Sequence, residues 1–531
     1  MTKKLFLALL APALMGGLMA CNKQANSDLD PEAQSTGDTY MSVTFTTANP
    51  NSTARAAEKE DENFNSIGEY IGRDEIKNVN VYVINLPEET VDVKKFVSTT
   101  TNAIVLNPDS NNDTKDFRTE AWKTTAGNKL VYVYVNIAGT DIEKALDKAT
   151  SRKAFEDANA TAYALADANG VMTSYAKYEG GKDIIAMNTV TPATLEVKPG
   201  VKKADAEKNV NPDNRAKLSV RRLVGQAAVT SKEAEYTITE NYGGKTNTLG
   251  KLSDLKWDVM QYELTTYLMP LPTEEGKDAK MAMYCKSPFF SFMPDDSNYN
   301  ATSAGVKYVY RAFNGTKVET FTRSTQATEA EKNKEDVDNI VKNPMKFITE
   351  TTHQLGGKLE DAADPKTGYR KGNTTYVIVS AKITPDETAW ADGQKEKTGE
   401  DLYFGILDHK FYKEEATAAT KNKPTTALET GKDNVIKYAK GICYYVAWLN
   451  PDKATEPVVS PVLRNNIYHV NINAIKKLGY SGNPFDPTNK TPKDPDDKTP
   501  DPKETLYPVE TYMSVEINVV NWGVHSYDHE F

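Results

Sequence analysis

Cysteine is scarce, with three in 531 residues. That excludes a disulfide-dense scaffold and any zinc centre built from several thiolates. Histidine is limited to five scattered positions, His353, His409, His469, His525 and His529, and neither an HExxH nor a GxSxG run occurs. Gly244-Lys245-Thr246 has Thr239 where a phosphate loop needs its first glycine, so it reads as a turn. His525 and His529, with Asp528 and Glu530 nearby, read as a solvated terminus rather than a metal site, and the Asp residues at 494–501 lack a calcium-loop pattern. A basic excess is missing too: 64 Lys+Arg stand against 74 Asp+Glu, a net charge of −10, which argues against a nucleic-acid partner. Beyond the N-terminus no run approaches the roughly 20 apolar residues of a membrane-spanning helix. No cofactor, no metal and no enzymatic role is expected.

What the chain does have leans towards β structure, with 28 Tyr against 16 Phe. Lys3 and Lys4 precede an apolar run, Leu5 to Met19, that is too short to span a bilayer. It ends Leu18-Met19-Ala20-Cys21, which resembles a bacterial lipobox cut before a lipid-carrying cysteine; an ordinary signal cut after Ala20 is the alternative. Either reading implies export, and acyl chains on Cys21 would hold the product at a membrane surface.

Residues 22–38 are polar and read as a tether. In Thr39-Tyr40-Met41-Ser42-Val43-Thr44-Phe45-Thr46-Thr47, strict alternation puts Met41, Val43 and Phe45 on one face, the period of a half-buried strand. Arg55-Ala56 follows in an Asn/Ser/Thr/Ala segment of the kind proteases cut.

From about residue 75, strand follows strand: Val79, Val81 and Val83 alternate, as do Val131, Val133 and Val135. Residues 141–168 and 325–347 interrupt with helical composition. Further strands are expected at 184–197, 217–230, 256–269, 280–293, 306–313, 374–383, 402–411, 436–449 and 466–475. Pro270 and Pro272 read as the boundary between two β-sandwiches, 56–270 and 271–480. Cys285 and Cys443, both in apolar strand-like runs, read as buried free thiols, with pairing after export as the alternative. Residues 481–508, rich in Pro, Asp and Lys, read as a semi-rigid spacer.

Beyond the spacer, at 509–531, the pentapeptide TYMSV of 39–43 returns at 511–515, in the same phase. Tyr512, Met513, Val515, Ile517 and Val519 repeat and extend the earlier pattern, and Trp522 reads as a docking anchor or a packed aromatic. Two versions of one strand at opposite ends have a physical use. A strand on flexible tethers fills a slot in a sheet through backbone pairing and alternate side chains. Cutting at Arg55-Ala56 would free the first copy, whose removable strand spans 39–47 in a propeptide 21–55. The vacated trough is unfavourable unless refilled. The second copy on its spacer can reach a neighbouring molecule, and a head-to-tail contact of that kind grows fibres.

Cys21, the strand before Arg55 and the ending NWGVHSYDHEF resemble the fimbrillin family of Bacteroidales, the type V pilins. So do LSVRRLVGQAAV (218–229), GICYYVAWL (441–449) and VLRNNIYHVNINAIKKLG (462–479). The resemblance is strongest to the shaft subunits of the minor, short fimbriae of Porphyromonas. It implies a mainly β fold, with two tandem transthyretin-like β-sandwich domains, small helical insertions and a C-terminal donor strand. It further implies export as a lipoprotein to the outer membrane surface, processing after Arg55 by an Arg-specific secreted protease, and polymerisation by strand exchange. The partners it implies are copies of the same chain, tip and anchor subunits, and host or bacterial surface receptors, with roles in adhesion and biofilm. Arg73 is the competing processing position. A lipid-anchored glycan-binding or hydrolytic surface protein, and a tip or anchor subunit, are the alternative functions.

Overall fold

A computed structural model describes residues 39–47, 66–70, 73–98, 104–106, 116–272, 285–295, 297–299, 307–354, 367–394, 400–424, 434–449, 459–488, 492, 501–506 and 513–522. The chain is mainly β, with short helices at its flanks. No described helix is long and apolar enough to cross a membrane.

The first body is built around the pair Asn78–Leu86 and Gly127–Val135, antiparallel along its full length. Its two apolar faces are used differently. Val79, Val81, Val83, Val131, Val133 and Val135 point into one core, shared with Met41, Val43 and Phe45. Tyr82, Ile84, Tyr132 and Tyr134 point the other way, against Ile142, Leu146 and Phe155 of the helices Asp141–Asp147 and Arg152–Asn159. Those helices start where Thr140 and Ser151 accept hydrogen bonds from Glu143 N and Ala154 N, satisfying backbone donors that the first turn leaves open. Among the described residues the sheet runs, edge to edge, Val91–Val97, Asn78–Leu86, Gly127–Val135, Met187–Thr189, Arg215–Arg222, Thr39–Thr47, Asp116–Thr119, Ile104–Leu106.

The second body pairs Tyr236–Tyr242, Lys245–Met260, Tyr376–Pro385 and Ile442–Trp448 in one sheet. A second sheet is ordered Ser66–Tyr70, Met513–Trp522, Asn466–Ile475, Gly225–Ser231, Glu319–Thr320. The turn before Lys245 is a two-glycine hairpin, with Gly243 and Gly244 at φ +61° and +76°, a conformation only glycine adopts freely. The helix Glu329–Ile340, closed by a Thr328–Glu331 capping box, lies against Ser66–Tyr70.

Three expectations need correcting. The sheets change over at Leu223-Val224, not at Pro270. Arg215–Arg222 belongs to the first sheet, whereas Gly225–Ser231 pairs with Asn466–Ile475, and Lys245–Met260 with Tyr376–Pro385. The prolines only follow Thr265–Tyr267, which crosses back to pair with Ala162–Ala164. Sheet membership follows from pairing, and chain punctuation does not reveal it. At the changeover Arg222 donates to both carboxylate oxygens of Asp74 and, at 3.0 Å, to Asn465 Oδ1, all three residues being buried.

Second, the described residues of the segments expected as strands at 280–293 and 306–313 lie mostly outside strands. Among the described residues there, Cys285–Lys286 alone forms a strand, and Tyr308 makes an isolated bridge to Glu263. Third, the spacer is not free of the body at its ends. Phe485 packs on Tyr376 and Trp448, and Leu506 is fully enclosed with Tyr369 and Val459. An occasional Phe or Leu in a Pro/Asp/Lys tract is enough to dock it where an apolar recess exists.

Candidate strand-exchange site

Cys21, Arg55, Ala56 and Tyr512 lie outside the described residues. The leader strand, Thr39–Thr47, is not half-buried as its alternation predicts. It is a central strand, parallel to Arg215–Arg222 on one side and antiparallel to Asp116–Thr119 and Trp122–Thr124 on the other. Met41, Val43 and Phe45 are 0% exposed, and Phe45 stacks on Phe117 with ring centroids 5.5 Å apart. Tyr40 is half-buried.

The opposite face is buried as well, because polar partners receive it. Ser42 Oγ donates to Ala206 O at 2.6 Å and accepts from Arg215 Nε at 2.8 Å. Thr39 Oγ1 donates to Lys198 O and accepts from Asn214 Nδ2, and Thr46 Oγ1 lies 3.1 Å from Ser219 Oγ. Two hydroxyls fare worse: Thr44 Oγ1 and Thr47 Oγ1 are buried without a hydrogen-bond partner among the described residues. Each such group costs about 1–3 kcal/mol. The three enclosed apolar side chains contribute roughly 5–9 kcal/mol in the other direction.

The tail strand, Met513–Trp522, lies elsewhere, in the second body, so the two copies of the pentapeptide are not brought together. It runs antiparallel to Asn466–Ile475 and, over Val519–Trp522, parallel to Ser66–Tyr70. Met513 is 1% exposed and Val515 is half-buried against the main core. Ile517 stands opposite Val470, Val519 opposite Tyr468, and Trp522 opposite Tyr70. The tail therefore sits between one antiparallel and one parallel neighbour, as the leader does, and turns the same positions of the pentapeptide inward.

Sequence reasoning missed the residues that clasp the leader's polar face, Asn214 and Arg215, and the short strand Ser66–Tyr70 that covers the tail's outer edge. The only signal for them was a basic, Asn-bearing start to the strand at 215–222. Arg73 is engaged in structure. It pairs with buried Asp183 at 3.0 Å, donates to Val341 O at 3.3 Å and lies 4.2 Å over the Tyr178 ring. Cys285 and Cys443 are both free thiols, pushed up to about 11 by burial. Among the described residues no three His, Cys, Asp or Glu converge as a metal site would require.

The fimbrillin C-terminal model, for the major fimbrial subunit protein type IV, matches residues 436–528. The minor fimbrium subunit Mfa1 of Porphyromonas gingivalis is 32% identical over 537 residues, covering 97% of this chain and 97% of that protein. The chain belongs to the fimbrillin family. Solved structures similar to this fimbrillin include the tip fimbrial protein Mfa3 of Porphyromonas gingivalis, at 9% identity over 91% of this chain and 100% of that one, with a TM-score of 0.34. A fimbrial assembly protein of Parabacteroides distasonis is 10% identical over 83% and 93%, with a TM-score of 0.29.

Proposed function

We propose that this fimbrillin, a structural subunit of an extracellular fimbria, polymerises by strand exchange. On this reading the chain is exported as a lipoprotein through Cys21 to the outer membrane surface. An Arg-specific secreted protease cuts between Arg55 and Ala56, and the leader strand Thr39–Thr47 departs. The tail strand of another copy then fills the vacated place. Tip and anchor subunits complete the fimbria, which supports adhesion to surface receptors and biofilm, a structural rather than catalytic role.

The observation that carries this reading is the match between the two strands. The leader is a central strand whose Met41, Val43 and Phe45 are wholly enclosed, and the tail repeats its pentapeptide with Met513 and Val515 turned inward. A central slot emptied of three apolar side chains exposes two unpaired edges at once, which no sheet tolerates in water. The tail's place in its own body makes the reaction an exchange, so its driving force is the difference between two buried sites, not the whole of one. Arg55 is favoured over Arg73, because Arg73 is held by Asp183, Val341 and Tyr178 and lies beyond the strand that covers the tail.

The test is protease treatment of purified precursor. Ladders that resist SDS are expected from the full chain and none from a chain lacking 509–531. Ladders persisting in the deletion would defeat strand exchange.

A further inference from the structure

The leader strand leaves a polar face as well as an apolar one, and its neighbours are charged. Aligning TYMSV at 39–43 with 511–515 places Ser514 at the position of Ser42, Glu516 at that of Thr44 and Asn518 at that of Thr46. In the observed register Ser42 stands opposite Arg215, and Thr44 stands between Arg118 and Lys217. Thr46 stands between Asp116 and Ser219. Directly opposed residues in a ladder share a face, with Cβ atoms about 5 Å apart.

The leader is a poor match for that row. Thr44 brings no charge between two cations, and its buried hydroxyl has no partner among the described residues. Arg118 instead reaches Glu207 O at 3.1 Å and Asn209 Oδ1 at 2.5 Å. The tail matches at every rung. It keeps the serine that Arg215 grips, brings a carboxylate between Arg118 and Lys217, and offers an amide, not a second acid, opposite Asp116. In its own body Glu516 stands opposite Asn471, a neutral residue.

We propose that the polar face of the leader's slot selects the tail of a second copy through Glu516, with Arg118 and Lys217 as its cationic partners. This rests on the strand-exchange reading and adds to it a reason for direction. The incoming strand gains an ion pair that neither the leader in that slot nor the tail's direct ladder partner in its own body supplies. Opposed charges across a ladder favour the correct partner and quicken its arrival, and both effects weaken with salt.

The experiment follows ladder formation by the full chain after Arg-specific cleavage, at low and high salt. The wild type is compared with Glu516→Gln, Glu516→Lys, exposed Lys217→Glu, and the deletion of 509–531. Glu516→Gln should assemble about three- to tenfold more slowly at low salt and lose most of the salt dependence. Glu516→Lys and Lys217→Glu should each be slower still. Mixed in equal amounts they should recover, because each tail then meets a slot of opposite charge. Thermal unfolding of the uncleaved variants checks that they fold, and the mixture keeps the test valid even if one variant is weakened. Assembly of Glu516→Lys at the wild-type rate, or no recovery on mixing, would overturn the proposal while leaving strand exchange intact. Ladders in the 509–531 deletion would instead overturn strand exchange itself.

Discussion

Met41 and Met513 stand at the same place in two copies of one pentapeptide, and both are enclosed, at 0% and 1% exposure, in different sheets of one chain. On the strand-exchange reading, a residue repeated with the same burial in two places belongs to a strand that can fit either. On the proposed reading the two sites differ in permanence, since the leader would be present only before cleavage. Phe45→Ala, which empties the stack on Phe117, should therefore destabilise the uncleaved chain by about 3–5 kcal/mol. It should leave the thermal and SDS resistance of assembled fibres unchanged. Denaturant melts of precursor and fibre side by side check this. A weakened fibre would mean that the leader is retained.

Arg73 is the second arginine a protease would meet, and its geometry predicts a structural part for it. Burial raises the pKa of Asp183, and the Arg73 guanidinium is its first charge partner. Arg73→Ala would leave that carboxylate enclosed without its counter-ion, at a cost of roughly 2–4 kcal/mol. Processing should continue, because extended, accessible backbone is what a protease needs. N-terminal sequencing of the cleaved product should give Ala56 in this variant and no cleavage near residue 55 in Arg55→Ala. A start at residue 74 in the wild type would reverse the assignment.

Much of this organisation was legible because it is periodic. The runs at Asn78–Leu86, Gly127–Val135 and Tyr376–Pro385 alternate with period two, and the pentapeptide repeat announces itself. The burial of both faces of Thr39–Thr47 was not legible. Its serine and threonines look solvent-facing until Asn214, Arg215 and Ala206, far along the chain, are folded against them. Nor does the sheet changeover show in sequence, where LSVRRLVGQAAV reads as one continuous strand. Its mark is Gly225, where an added Cβ would come within 3.0 Å of Asn466 O and 3.1 Å of Leu463 O. The charged row at Arg118 and Lys217 is likewise invisible, because register alone brings those two residues to either side of Thr44.

His469 supplies a pH test of the sheet that holds the tail. It is enclosed, 2.7 Å from Thr230 Oγ1 and edge-on to Phe321, and burial lowers its pKa to about 3. The unfolded chain takes up this proton as pH falls below about 6.5, whereas the folded chain does not until about 3. The stability held by the neutral ring is thus intact above 6.5 and is lost across that window at about 1.4 kcal/mol per pH unit. Against a His469→Gln variant, the wild type's advantage should shrink by ~3 kcal/mol between pH 6.5 and 4. Paired urea melts at each pH measure it, and parallel curves would show that the ring is already protonated or solvated.

In the proposed exchange, Leu506 would set how freely the tail leaves its own body. Its enclosure with Tyr369 and Val459 is reinforced by Lys371 N donating to Glu504 O and Gly372 N to Pro502 O, both at 2.9 Å. Residues 501–506 are therefore fastened down, and a tether fastened close to the strand keeps its effective concentration high over its own sheet. Leu506→Ala removes about 2–4 kcal/mol of local burial. Amide exchange over 501–506 and 513–522 should quicken, and ladders should appear sooner after cleavage with the same final yield. Were this segment a solvated spacer, the substitution would alter neither exchange nor lag. A faster tail with an unchanged end-point would place the docked Leu506 on the kinetic path to the fibre, separate from the contacts that hold the finished link.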